Sequence, residues 1–137
     1  MSRKLAVVCI ALVTALLLPG CQAVSQFFGD SSESDLYQHI SQEEAQRMMD
    51  EDDGIAIVDV RTETEYNSGH IPGAICIPNE SISTAPLEQL PDPDQVILVY
   101  CRSGSRSKQA SEKLANIGYT NVYEFGGINS WKGEVVS

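Results

Sequence analysis

The chain has 137 residues, with 19 acidic side chains against 9 basic ones and a formal net charge of −10. So acidic a protein is poorly matched to a phosphate backbone, which argues against nucleic acid as a partner. The length suits one domain with a modest core.

The first residues read as an export signal. Ser2-Arg3-Lys4 is a positive start, and Leu5 to Leu18 is an apolar run interrupted only by Thr14. Leu18-Pro19-Gly20-Cys21 then resembles the bacterial lipobox, in which a small residue precedes a cysteine that is lipidated after cleavage. Residues 1–20 are therefore expected to be removed, with Cys21 acylated as the first mature residue. The apolar run is short for a span of about 20 residues, which favours the cleaved lipoprotein over a transmembrane anchor. Several acyl chains hold a protein to a membrane more firmly than one. Residues 21–35, small and polar apart from Phe27 and Phe28, read as a flexible tether. The expected location is outside the cytoplasm, on the cell membrane or the outer membrane. In an organism with two membranes, Gln22 in place of Asp would permit transport to the outer one. Loss of Arg3 and Lys4 leaves seven cations against nineteen anions, a mature net charge of −12.

Residues 36–137 make the folded domain. Ser41-Gln42-Glu43-Glu44 has the form of a capping box and opens a helix to about Asp50, which the acidic turn Glu51–Gly54 ends. Ile55–Val60 is a continuous apolar run, suited to a strand buried on both faces. Thr62-Glu63-Thr64-Glu65 can cap a short helix. The turn cluster Gly69–Gly73 leads to a strand at Ala74–Ile77. A weak helix is predicted near Leu87–Leu90, closed by Pro91 and Pro93. A strand over Val96–Tyr100, a loop, and a helix over Arg106–Ile117 follow, with Gly118 as its stop. Val122–Phe125 is a last strand, and a short helix is predicted around Trp131. Strands alternating with helices at this spacing predict an α/β fold with a mainly parallel sheet. Ligands of such sheets bind beyond the carboxyl ends of the strands, where Arg61 and Cys101 both fall.

Cys101 is the main candidate for chemistry. It opens the loop Cys101-Arg102-Ser103-Gly104-Ser105-Arg106-Ser107, between a buried strand and the amino end of a helix. Unpartnered first-turn amides and the helix dipole favour negative charge there, so the thiol is expected to ionise readily. Four of the seven mature cations, Arg102, Arg106, Lys108 and Lys113, fall in or just after this loop. Lys108 and Lys113 fit a solvated helix face. Arg102 and Arg106 fit recognition of an anion, and Arg106 fits tying the loop to the domain equally well. Cys9 leaves with the signal and Cys21 is lipidated, so Cys76 is the domain's other cysteine. Its apolar strand marks it as a small core residue, and a Cys76–Cys101 disulfide would block the nucleophile. No cysteine or histidine pattern suggests a metal. Asp59 fits a structural ion pair, His70 a turn, Trp131 a core anchor and His39 the surface.

Four segments in this order resemble the single-domain rhodanese family of sulfurtransferases. They are Ile57-Val58-Asp59-Val60-Arg61 with Glu65-Tyr66, then Gly69-His70-Ile71-Pro72-Gly73-Ala74, then Val99–Ser107, then Gly126-Gly127-Ile128 with Trp131. The resemblance implies a five-stranded, mainly parallel sheet flanked by helices. It also implies Cys101 as a persulfide-forming nucleophile, with no cofactor. After Trp131 the chain is shorter than the family pattern, which predicts an abbreviated last helix.

The implied chemistry is covalent and ping-pong. The Cys101 thiolate takes sulfur from a small anionic donor such as thiosulfate, and a thiol or cyanide acceptor removes it. The amides of Arg102, Ser103, Gly104, Ser105 and Arg106 can curl round the sulfur as an anion nest, and Gly104 lets the backbone bend. Arg102, Arg106 and Arg61 are the side chains placed to meet the donor. Phosphatases and arsenate reductases also use a cysteine loop ending in arginine, but four residues separate Cys101 from Arg106 where their pattern needs five. The reading from another class is a tethered sulfur-carrier or docking module without multiple turnover.

Overall fold

The computed structural model describes residues 36–137; the expected signal peptide, the expected lipidation site at Cys21 and the expected tether all lie outside the described residues. Five parallel strands form one sheet: β1 (Gln38–His39), β2 (Ala56–Asp59), β3 (Ile75–Cys76), β4 (Val96–Cys101) and β5 (Asn121–Gly127), in the order β1-β5-β4-β2-β3. The helices are α1 (Gln42–Glu51), α2 (Glu63–Asn67) and α3 (Ser105–Ile117). The α/β fold with a parallel five-stranded sheet is thus as expected. Among the described residues no helix is long and apolar enough to cross a membrane.

Strand β4 lies near the middle of the sheet, between β5 and β2. Its side chains alternate between two cores, as a period of two requires. Ile97, Val99 and Cys101 join Ala110 and Leu114 of α3, while Leu98 and Tyr100 join Ala45 of α1 and Phe125. This alternation points the Cys101 side chain toward α3. That helix buries Ser107, Ala110, Ser111 and Leu114, a stripe spaced three and four apart. Ser107 therefore faces the sheet for the same geometric reason that Leu114 does.

Two predicted helices take other forms. Leu87–Leu90 is a turn between prolines, and its backbone groups are satisfied by a side chain instead of a helix. The Tyr119 hydroxyl accepts from the Leu87 amide at 3.0 Å and donates to the Leu90 carbonyl at 2.8 Å. Near Trp131 only a single 3-10 turn forms, at Ile128–Ser130, and Trp131 itself is extended. Its ring packs on Phe125 at 5.7 Å. The terminal segment is instead paired backwards with the turn after α2. The His70 amide donates to the Val136 carbonyl and the Val136 amide to that of His70, both at 2.8 Å.

The strand β1 was not expected from the residues. Both its side chains are exposed, so it carries no apolar signature. It exists because the edge of β5 offers it a ladder, with Gln38 opposite Tyr123 and His39 opposite Glu124.

Candidate active site

Cys101 is the last residue of β4, and the chain turns through Arg102, Ser103 and Gly104 into α3. Gly104 makes the turn with φ of +109°, in the region that side chains rarely enter, and caps α3 without a side-chain hydrogen bond. Its amide is spent on the sulfur, donating to Cys101 Sγ at 3.0 Å. Ser107 Oγ stands 3.5 Å from the same sulfur.

The thiol is enclosed and is not an exposed loop group. Cys101 is only 1 % exposed. Burial alone would make it harder to ionise. The Ser107 hydroxyl and the amides of Ser107, Gly104 and Ser103 oppose this by hydrogen bonding to the thiolate, and the net effect is a thiol held below its ordinary value. The loop thus makes an anion site from backbone donors and one hydroxyl. Such donors need no reorganisation when charge develops on sulfur.

The arginines divide. Arg106, on the first turn of α3, makes a two-pronged ion pair with Glu65 of α2, at 2.8 and 2.9 Å. Hydrogen bonds from Arg106 outweigh the effect of burial and hold the Glu65 carboxyl down at about 2. Arg106 therefore ties the loop to the domain. Arg61 is buried, and its guanidinium grips Asp59 and the Gly69 carbonyl, with Nη2 at 2.6 and 2.7 Å respectively. Tyr100 completes this network, its hydroxyl donating to Asp59 at 2.8 Å and accepting from the Ile71 amide at 3.1 Å. Burial, first, and then the Asp59 charge push the Tyr100 hydroxyl well above its ordinary range. Arg102 is exposed and enters no ion pair among the described residues. Arg61 and Arg102 line one shallow cavity of about 230 Å³ with Thr64, Glu65, Ser68, Ile128 and Asn129. Ser103 and Ser105 are exposed at the loop surface.

The remaining candidates lie apart from this sulfur site. Cys76 is half-buried on β3 and, like Cys101, unpaired. Burial and then the Asp59 charge push its thiol up, the opposite of Cys101. His70 stacks on Tyr66 with ring centroids 3.8 Å apart. Lys113 is taken by Asn79, donating to its carbonyl at 2.8 Å. Among the described residues no group of three or more His, Cys, Asp or Glu side chains could hold a metal.

Two residues near the sulfur escaped the sequence reading. Glu124 was read as part of a strand, and His39 as surface. Glu124 is fully buried, and its Oε1 accepts from Ser107 Oγ at 2.6 Å and from the Gly126 amide at 2.7 Å. Its Oε2 lies 2.5 Å from His39 Nδ1. A lone glutamate inside the run Val122-Tyr123-Glu124-Phe125 was the available signal, because a buried carboxylate needs partners.

Comparison with known proteins agrees with this geometry. Residues 41–134 match the family model described as a rhodanese-like domain. The chain is 38 % identical over 71 residues to the thiosulfate sulfurtransferase PspE of Escherichia coli K12, covering 52 % of this chain and 68 % of that protein. It is 32 % identical over 97 residues to the thiosulfate sulfurtransferase GlpE of Pseudoalteromonas translucida, covering 70 % and 90 %. A rhodanese with anions from E. coli superposes with a TM-score of 0.54 at 33 % identity, over 61 % of this chain and 98 % of that one. A rhodanese-related protein from Thermoplasma volcanium gives 0.62 at 28 % identity, over 73 % and 98 %.

Proposed function

The chain belongs to the family of rhodanese-like domains, and from that premise we propose that it moves sulfane sulfur from a donor such as thiosulfate to a thiol or cyanide acceptor, through a persulfide on Cys101. The single observation that carries this reading is the sulfur of Cys101 held on the Gly104 amide at 3.0 Å, with its thiol kept below the ordinary range. In the first step the thiolate attacks the outer sulfur of thiosulfate. A new S–S bond forms, the donor's S–S bond breaks, and sulfite leaves with the bonding pair. In the second step the acceptor attacks the outer sulfur of the persulfide and the Cys101 thiolate is regenerated. With cyanide the product is thiocyanate. The negative charge stays on sulfur at each stage, which is what a ring of amide donors favours. Arg102 meets the anionic donor, since its charge is not spent within the domain. Both terminal nitrogens of Arg106 are engaged by Glu65, so that guanidinium is not turned to an oxyanion as a phosphatase would require.

Thiosulfate followed by intact-mass measurement tests the first step. Wild type should gain one sulfur atom and lose it on addition of cyanide, with thiocyanate released over many turnovers. Cys101→Ser should gain none while remaining folded. No adduct on wild type would overturn the sulfur-transfer reading.

We further propose that the mature protein is exported and anchored by acyl chains on Cys21, with the domain outside the cytoplasm. The positive start, the apolar run of residues 5–18 and Gly20-Cys21 support this. Purified wild type from the membrane fraction should lack residues 1–20 and carry acyl chains. An intact Met1 without acyl chains would replace the lipoprotein with a signal-anchored domain.

A further inference from the structure

Glu124 is a fully buried carboxylate that the transfer chemistry does not use, yet one hydroxyl separates it from the reacting sulfur. The string runs Cys101 Sγ, Ser107 Oγ at 3.5 Å, Glu124 Oε1 at 2.6 Å, and Glu124 Oε2 to His39 Nδ1 at 2.5 Å. It ends in solvent, for the His39 side chain is 60 % exposed. Strand pairing builds it: β1 sets His39 directly opposite Glu124, and the buried stripe of α3 sets Ser107 above both Glu124 and Cys101.

We propose that His39 and Glu124 are positioning residues that set how readily Cys101 ionises, acting through the single proton of the Ser107 hydroxyl. The proposal rests on Cys101 being the nucleophile of the sulfur transfer. Ser107 has one proton and several acceptors within reach: Glu124 Oε1 at 2.6 Å, the Gly104 carbonyl at 2.9 Å, the Gly126 carbonyl at 3.3 Å and the sulfur. A hydrogen bond to an ionised carboxylate is about twice as strong as a neutral one. An uncompensated Glu124 therefore holds the proton and turns only the hydroxyl's lone pairs to sulfur. It also sets a second buried anion two links from the thiolate. A His39 ring that donates from Nδ1 to Oε2 draws the carboxylate charge there, weakens the claim of Oε1, and frees the Ser107 proton for the thiolate. The proton lost by the thiol passes to bulk water.

The other ionisable side chains on the elements packed round this string are Arg106, Lys108, Glu112 and Lys113 on α3, Glu43, Glu44, Arg47, Asp50 and Glu51 on α1, Tyr100 on β4, Tyr123 on β5, Arg102 in the loop and Tyr37 beside β1. Arg106 feels the Cys101 charge but is already paired with Glu65. His39 is the group that contacts the buried carboxylate and also reaches water.

The test is the rate of Cys101 alkylation by iodoacetamide against pH, read on the full chain by peptide mass, for wild type, His39→Gln and Glu124→Gln. The two variants should move the thiol in opposite directions. His39→Gln leaves the carboxylate uncompensated, so the midpoint should rise and alkylation at neutral pH should fall about 3- to 10-fold, up to one unit of ionisation. Glu124→Gln removes the competing charge, so the midpoint should fall. A purely structural role would shift both variants the same way or neither. Either result, or a His39→Gln profile identical to wild type, overturns the proposal. His39 is exposed, so its variant decides the matter even if Glu124→Gln fails to fold. Alkylation does not require sulfur transfer. Opposite shifts without a persulfide would refute the transfer reading and leave the tuning intact.

Discussion

Gly127 lies against the backbone of Arg102. A side-chain carbon placed there would come within 2.2 Å of the Arg102 carbonyl oxygen and 2.5 Å of the Ser103 nitrogen. The end of β5 is thus the floor on which the cysteine loop rests. The contact is reinforced next door, where the Asn129 amide donates to the Arg102 carbonyl at 3.1 Å.

Gly127→Ala should therefore lift the loop and swing the Ser103 and Gly104 amides off the sulfur. Its φ of −133° is open to any residue, so the cost is one of space and not of backbone strain. Overpacking of this kind costs about 1–3 kcal/mol. Thiosulfate loading of Cys101 should fall at least about tenfold, as the loss of one preorganised donor does, while circular dichroism stays native. Full activity in the alanine variant would show that the loop does not need this floor.

The ion pair between Arg106 and Glu65 makes a pH prediction. The folded Glu65 carboxyl sits at about 2, below the ordinary value of about 4.3. A carboxyl lowered on folding stabilises fully above its unfolded value and loses that contribution as pH falls through its folded one. Both side chains are partly exposed, which limits the effect to about 1 kcal/mol or less. Glu65→Gln should lower stability to urea by that amount at pH 7, and the difference from wild type should close between pH 4.3 and 2. A difference that persists unchanged at pH 2 would assign it to the α2 cap, since Glu65 also accepts from the Thr62 amide at 3.0 Å.

How much of this was legible follows from the range over which each feature is encoded. Strands β2 and β4 were readable because burial on both faces leaves an unbroken apolar run. The cysteine loop was readable because strand, Gly104 and helix stand in sequence order. His39 and Glu124 are 85 residues apart, and neither carries a local pattern that announces the other. The burial of Cys101 was hidden for a related reason: it follows from β5 and α3 closing over the end of β4. Leu87–Leu90 misled because its backbone is satisfied by Tyr119, 32 residues from Leu87.

Cys76 offers a control within the same chain. Its sulfur lies 3.7 Å from the Arg61 carbonyl, and burial and nearby carboxylates keep it a thiol. Cys76→Ala should cost on the order of 1 kcal/mol in urea unfolding and leave turnover within about twofold of wild type. A loss of turnover approaching that of Cys101→Ser would make Cys76 a resolving thiol.

Arg61 and Arg102 line the same cavity, but their surroundings differ. Arg61 is the cation of a buried pair, with Asp59 fully enclosed and Tyr100 bonded to the same carboxylate. Its removal strands a buried charge, for which about 3–5 kcal/mol is typical. Arg61→Ala should therefore unfold at markedly lower urea, and any folded fraction should bind thiosulfate only slightly less well. Arg102 is exposed and enters no ion pair among the described residues. Arg102→Ala should unfold within about 0.5 kcal/mol of wild type. Its KM for thiosulfate should rise, by about 3- to 10-fold at low salt, and the rise should shrink as salt screens the charge. Measured as a KM series from low to high ionic strength, an unchanged KM in Arg102→Ala together with a raised one in folded Arg61→Ala would reverse the assignment and make Arg61 the donor's anchor.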